Sequence, residues 1–250
     1  VAALTAKQLG AIGSDDLQKL NTSQIGALSA DQLSGLTTLQ VQQLTSSQMA
    51  GLTATQLGKL SSEQINALDD IDLKQLSTAQ MGALGAAALS GATTAKIAAI
   101  ETNQIAGLTV SQIKAMTTDQ VKALTSAQFA QLNETQIAAF SSAQISAIDT
   151  TDLSNLSSSQ LGAINPTQIA GLTTTQLNKL ASGQMAGLIV DQLNKLTSSQ
   201  INSLTTKSLN QLSSRQVTFL AANQLSGVST TQIAALSTGQ IAALTGDQLR

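Results

Sequence analysis

The chain has 250 residues, 42% of them apolar and 10% charged; 12 basic and 14 acidic side chains leave a formal net charge of -2, and Cys, His, Trp and Tyr are absent. Without an imidazole base, a thiolate nucleophile or the usual zinc ligands, the composition argues against an enzyme, and no cofactor is expected. The charge balance gives no positive field for phosphates and three Phe give almost no stacking platform, so nucleic acid is not an expected partner. No apolar run approaches the roughly 20 residues of a membrane span, and Val1 opens no signal peptide. The lack of Cys chooses no compartment.

From the N-terminus, Leu4, Leu9, Ile12, Leu17, Leu20, Ile25, Leu28, Leu33 and Leu36 follow one another at alternating separations of five and three, a period of eight. Starting at Thr5, thirty complete octads run without insertion or deletion to Leu244, and Thr245 to Arg250 begins another. The fifth position is aliphatic, Met or Phe in 30 of 30 octads and the eighth in 29 of 30, Ala92 being the exception. These two positions are the expected core. The first position is Ser, Thr, Asn or Asp in 24 of 30 octads, and the fourth is Gln in 24 of 30.

One unbroken helix cannot use this pattern, because eight residues at about 100° each let the apolar pair drift by about 80° per octad around the surface. The odd separations also put neighbouring apolar residues on opposite faces of a strand. A hydroxyl followed three residues later by Gln is, however, a capping box, and the apolar residues flanking it form a hydrophobic staple. The first predicted element is therefore a mini-helix capped by Thr5, the second follows Gly13, and the restart recurs at every octad. Farther along, Asp69 and Asp72 stand where the capping hydroxyl and Gln normally stand, and Pro166 follows Asn165 at the first helical position, where its missing N–H costs nothing. All 14 acids lie in the first four positions of their octads, and eight of the 12 bases lie at the sixth or seventh, as the helix dipole favours; Lys7, Lys96, Lys207 and Arg215 dissent.

Helices this short are marginal alone, so the octads must stack. The predicted fold is all-α: residues 1–250 form one continuous solenoid of capped eight-residue mini-helices. Among longer polar residues at the seventh position, Lys19, Gln43, Gln75, Gln131, Asn155, Lys179 and Gln211 span 192 residues, and with the 56-residue gap from Gln75 to Gln131 counted as two turns the period is about 27 residues, or roughly 3.4 octads per superhelical turn. With no polar capping repeat at either end, the chain reads as a piece of a longer array or as a subunit that associates end to end.

The segments Leu52-Thr-Ala-Thr-Gln-Leu57, Leu108-Thr-Val-Ser-Gln-Ile113 and Leu172-Thr-Thr-Thr-Gln-Leu177 resemble the L-T-x-x-Q-[IL]-x-x-L octad arrays of very large bacterial surface or secreted proteins, often called adhesin-like or haemagglutinin-like. The resemblance implies an extracellular or cell-surface stalk or fibre carrying other domains of the same chain, and it supplies no catalytic residues.

Among chemical sites, Asp69, Asp70 and Asp72 form the densest acidic group and are the calcium candidates, although no Gly-containing ligand loop accompanies them. Capping already accounts for Asp69 and Asp72. Hydroxyls at the second and third positions, such as Thr174 and Thr175, vary too much to form a regular ice-binding lattice, and no motif supports a Ser nucleophile. Phe129 and Phe140 occupy core positions. The expected function is structural, a rigid spacer, stalk or filament segment; the alternative is a solenoid module binding a peptide, glycan or surface in a groove.

Overall fold

Each octad begins with a residue whose backbone is extended, as at Thr53 (φ -77°, ψ 158°), so the helix of the octad before cannot run through it. The computed structural model describes residues 3–250, and of Ser182 the backbone alone. Among the described residues there are thirty helices of four to six residues, from Ala6–Gly10 to Thr238–Ala242, one in each complete octad. Where the first residue is Ser, Thr, Asn or Asp, its side chain accepts from a backbone N–H of the first turn, as Ser61 does from Gln64 and Asp149 from Thr151. Gly13, Gly85, Glu101, Ala181, Ile189 and Ala221, the six departures from that pattern, make no such bond. Pro166 takes its predicted place just after the Asn165 cap.

The helices end as regularly as they start. In every complete octad but that of Leu68, the N–H of the eighth residue closes back on the fifth carbonyl three residues earlier, as Leu60 does on Leu57 at 3.2 Å, and the chain then extends into the next cap. Fifth-position side chains from Leu9 to Val217 are at most 2% exposed, and eighth-position ones from Leu28 to Leu220 at most 7%. The two predicted core positions are the core. Phe129 and Phe140 lie within it, whereas Phe219, at the seventh position, is exposed beneath Arg215.

The chain divides into two compact units, one ending at Leu132 and the other spanning Asn133–Arg250, and the division falls between octads. In each unit a helix packs on the third helix after it: Ala86–Ser90 on Val110–Ala115 in the first, Pro166–Ile169 on Val190–Lys195 in the second. Small residues permit that approach. The Gly107 Cα lies against the Thr78 carbonyl, and Gly171 against that of Ser142, so a methyl group at either would overlap backbone. Helices that touch are three octads apart, and the hydrogen bonds described below reach back three and a half, so one superhelical turn takes between three and four octads. The predicted all-α solenoid is the observed fold.

Candidate functional site

The Gln at the fourth position of most octads carries the chemistry that holds successive turns together. At Gln112, Oε1 accepts from the Thr109 N–H at 2.7 Å, while the Gln112 N–H donates to Thr109 Oγ1 at 3.2 Å, completing the capping box. The other end of the same amide is not idle. Its Nε2 donates to the carbonyls of Met81 and Leu84, both at 2.9 Å, which are the terminal acceptors of a helix one turn earlier. One side chain, 1% exposed, thus satisfies an orphan donor of its own helix and two acceptors of another. In the second unit Gln192 repeats the arrangement, accepting from Ile189 N–H at 2.9 Å and donating to Leu161 and Ile164 at 3.1 and 2.6 Å. The orientation of each amide follows from these partners, because the flipped form would set oxygen against carbonyl oxygen.

Sequence reasoning assigned this Gln only to capping. Glu completes a capping box as well as Gln does, yet no octad has Glu at the fourth position. A carboxylate has no N–H to give, and although Asp16, Asp72 and Asp152 do stand at this position, the preference for Gln in 24 of 30 octads was the readable sign of a wanted donor.

In two of the six octads without Gln, at Lys96 and Ser208, other residues take over part of its role. Lys96 occupies the fourth position of its octad, and its Nζ donates to the Leu68 carbonyl one turn earlier and pairs with Asp70 at 3.0 Å. This explains one of the four displaced bases. Lysine has no acceptor for the Thr93 N–H, and Asn66 Oδ1 supplies one at 2.8 Å while its Nδ2 donates to Gly91 at 3.1 Å. At Ser208 the same repair recurs, with Asn178 accepting from Thr205 N–H and donating to Ser203, both at 2.8 Å. Asn202 shows the converse. The N–H of Ser229, placed relative to Asn202 as Thr205 is to Asn178, is already bound by Gln232, and Asn202 Oδ1 is buried with no hydrogen-bond partner.

Of the three calcium candidates, Asp69 serves the cap of its own helix, and Asp70 and Asp72 turn to partners from other octads. Asp69 caps the helix Asp70–Gln75 and accepts from Asp72 N–H at 2.7 Å; Asp70 pairs with Lys96; Asp72, 4% exposed, accepts from Ser46 Oγ at 3.2 Å. Burial, and secondarily the Asp69 charge, push the Asp72 carboxyl above the usual carboxylate range. Among the described residues no group of three or more acidic side chains is placed to hold a metal ion. Asp69, Asp72 and Asp15 line an open groove of about 530 Å³ with the exposed Ile71 at its edge. Thr174 and Thr175 are exposed to solvent. Surface ion pairs join exposed groups: Lys19 and Asp16 lie 2.8 Å apart, each shifting the other toward its charged form. No helix among the described residues is long and apolar enough to cross a membrane.

The chain matches the ALTTAQ repeat family model over residues 9–46, 97–134 and 145–182. All three matches begin at the fifth position of an octad, so they share the register in which the amides bond, and the chain is a repeat array. No curated protein matches it.

Proposed function

We propose that the chain is a non-catalytic structural spacer, a stiff repeat segment that sets a distance between whatever it joins. The observation that carries this reading is the two-ended Gln bond. In both units it fastens consecutive turns through buried amides at a constant reach of three and a half octads, so neighbouring turns cannot slide without breaking caps. Stiffness then comes from the backbone carbonyls and does not depend on large side chains. A surface with few charges suits a part that keeps ends apart. The likeness of its L-T-x-x-Q segments to surface arrays supports a place outside the cell.

The test is length. Chains lengthened by seven and by fourteen consensus octads, two and four further turns, are compared with the parent by small-angle scattering. The expected maximum dimension rises in even steps of about 16–20 Å, each step adding two layers at the spacing of packed helices. Uneven growth, or growth typical of a flexible coil, contradicts the reading.

A further inference from the structure

At Leu44 the amide ladder of the first unit loses its donor. The eighth-position carbonyls on either side, those of Leu36 and Leu52, are claimed by Gln64 and Gln80, both at 2.9 Å. By the same reach Leu44 would be claimed by residue 72, which is Asp, and among the described residues nothing donates to the Leu44 carbonyl. Asp72 is 4% exposed and brings only acceptors, one of which takes the Ser46 hydroxyl at 3.2 Å. Lys96 shows what completes such a set of oxygens. It stands to Leu68 and Asp70 as Asp72 stands to Leu44 and Ser46, 28 and 26 residues farther along in each case. Its ammonium donates to the Leu68 carbonyl and to Asp70 at 3.0 Å, on a side chain 15% exposed.

We propose that the groove at Leu44 and Asp72 docks a lysine side chain of a partner protein, whose ammonium takes the Leu44 carbonyl, the Asp72 carboxylate and the Ser46 hydroxyl. The inference goes beyond the spacer reading and does not depend on it. An ammonium is a compact charge with three donors, which matches three converging oxygens, and the chain itself uses lysine in the equivalent place. A metal ion is a poor match, since no group of three or more acidic side chains among the described residues is placed to hold one. The groove of about 530 Å³ is larger than an ammonium, is lined by Asp15, Asp69 and Asp72, and has no base among its lining residues, so its charge favours a basic segment. Ile71, 65% exposed at its edge, offers an apolar surface for the lysine stem. Asp69 and Ile71 also line a second groove of about 520 Å³ with Asp70 and Lys96, so an extended segment has room for the residues flanking its lysine. The charge of Asp69 and the burial that raise the Asp72 pKa are the strain that a bound cation relieves.

Backbone-amide NMR spectra of the full chain, titrated with a short capped alanine peptide carrying one central lysine, test it. Saturable shifts are expected at residues 44–46 and 69–72. Asp72→Gln gives Leu44 its donor from within the chain and removes the carboxylate, so it should fold and bind the peptide at least about tenfold more weakly. Asp15→Asn removes only a charge at the exposed rim and should weaken binding by less than about fivefold. Acetylating the lysine of the peptide removes the ammonium without touching the protein, and should abolish the shifts whether or not either variant folds. Absence of saturable shifts, equal binding of the acetylated peptide, or equal losses in Asp72→Gln and Asp15→Asn overturns the proposal, the last by reducing it to general charge attraction. Butylammonium binding as tightly as the peptide overturns it too, by assigning the groove to a free amine. Even growth on adding octads, measured separately, bears on the spacer reading alone.

Discussion

At Gln112 a single amide does two jobs that the sequence shows as one, and substitution can separate them. Gln112→Glu keeps the acceptor for Thr109 but sets a carboxylate against the carbonyls of Met81 and Leu84. Leaving buried acceptors unpaired costs about 1–3 kcal/mol, and a buried unpaired charge costs more, so the expected loss at pH 7 exceeds that of Gln112→Ala. Gln8→Glu, at an exposed amide whose Nε2 makes no such bond among the described residues, should change the stability of this 250-residue chain by less than about 0.5 kcal/mol; urea unfolding compares the three. Asp72 is the natural version of this experiment. Its carboxyl has a folded pKa above the unfolded value, so the folded state binds the proton more tightly. The resulting penalty is full above the folded pKa, shrinks as pH falls through it, and is absent below the usual carboxylate range near about 4. Asp72→Gln restores a donor toward Leu44, and is expected to stabilise the first unit by about 1 kcal/mol at neutral pH. That advantage should narrow on acidification, and equal gains at pH 7 and pH 4 would contradict the assignment.

The helix Thr94–Ala99 shows how an element survives loss of its usual cap partner. Lys96 supplies the donor and Asn66 the acceptor that one Gln elsewhere supplies together. Asn66→Ala should therefore cost about 1–2 kcal/mol by stranding the Thr93 N–H, but much less when Lys96→Gln is present to accept from it. A double-mutant cycle is expected to return a coupling of about 1 kcal/mol, and additivity would mean the two residues act separately. Glycine acts at the same scale through close approach. Gly107→Ala drives a methyl into the Thr78 carbonyl and should destabilise by about 1–3 kcal/mol. Gly162 lies inside the helix Ser158–Ala163 with nothing within 4 Å of a built Cβ, so Gly162→Ala should gain about 0.5–1 kcal/mol from helix propensity. Thermal melts of the two variants shift in opposite directions if close approach between turns is what demands glycine in this array.

For the whole molecule, what was legible in the sequence is what is local. Caps, staples and the two core positions are settled within one octad and its immediate neighbour, so Thr5, Asn165 and Phe129 could be placed without coordinates. Which octad lies against which was legible only as an approximate period of about 3.4 octads in the seventh-position residues; the bond that fixes it reaches three and a half octads, and the Gln that makes it showed only its local capping role. The Asp69, Asp70 and Asp72 cluster was legible as a run of acids with Asp69 as a cap, but the partners of Asp70 and Asp72 were not, because Lys96 and Ser46 come from other turns. If register is carried by the amide ladder, whole octads should be dispensable where half octads are not. Deleting residues 109–116 removes Gln112, but Gln120 then arrives in the same register and can claim Met81 and Leu84 in place of Leu89 and Ala92. The expected change in melting temperature is a few degrees, corresponding to about 1 kcal/mol in a chain of this size. Deleting only 109–112 keeps more of the chain yet moves Ile113 next to Leu108, spoiling the five-three spacing, and leaves Met81 and Leu84 without a donor in register. Displacing two buried aliphatic side chains costs about 3–6 kcal/mol, so melting should fall by about 10 °C or more. Comparable melting of the two deletions would show that the turns are joined by general apolar contact and that the ladder does not set their register.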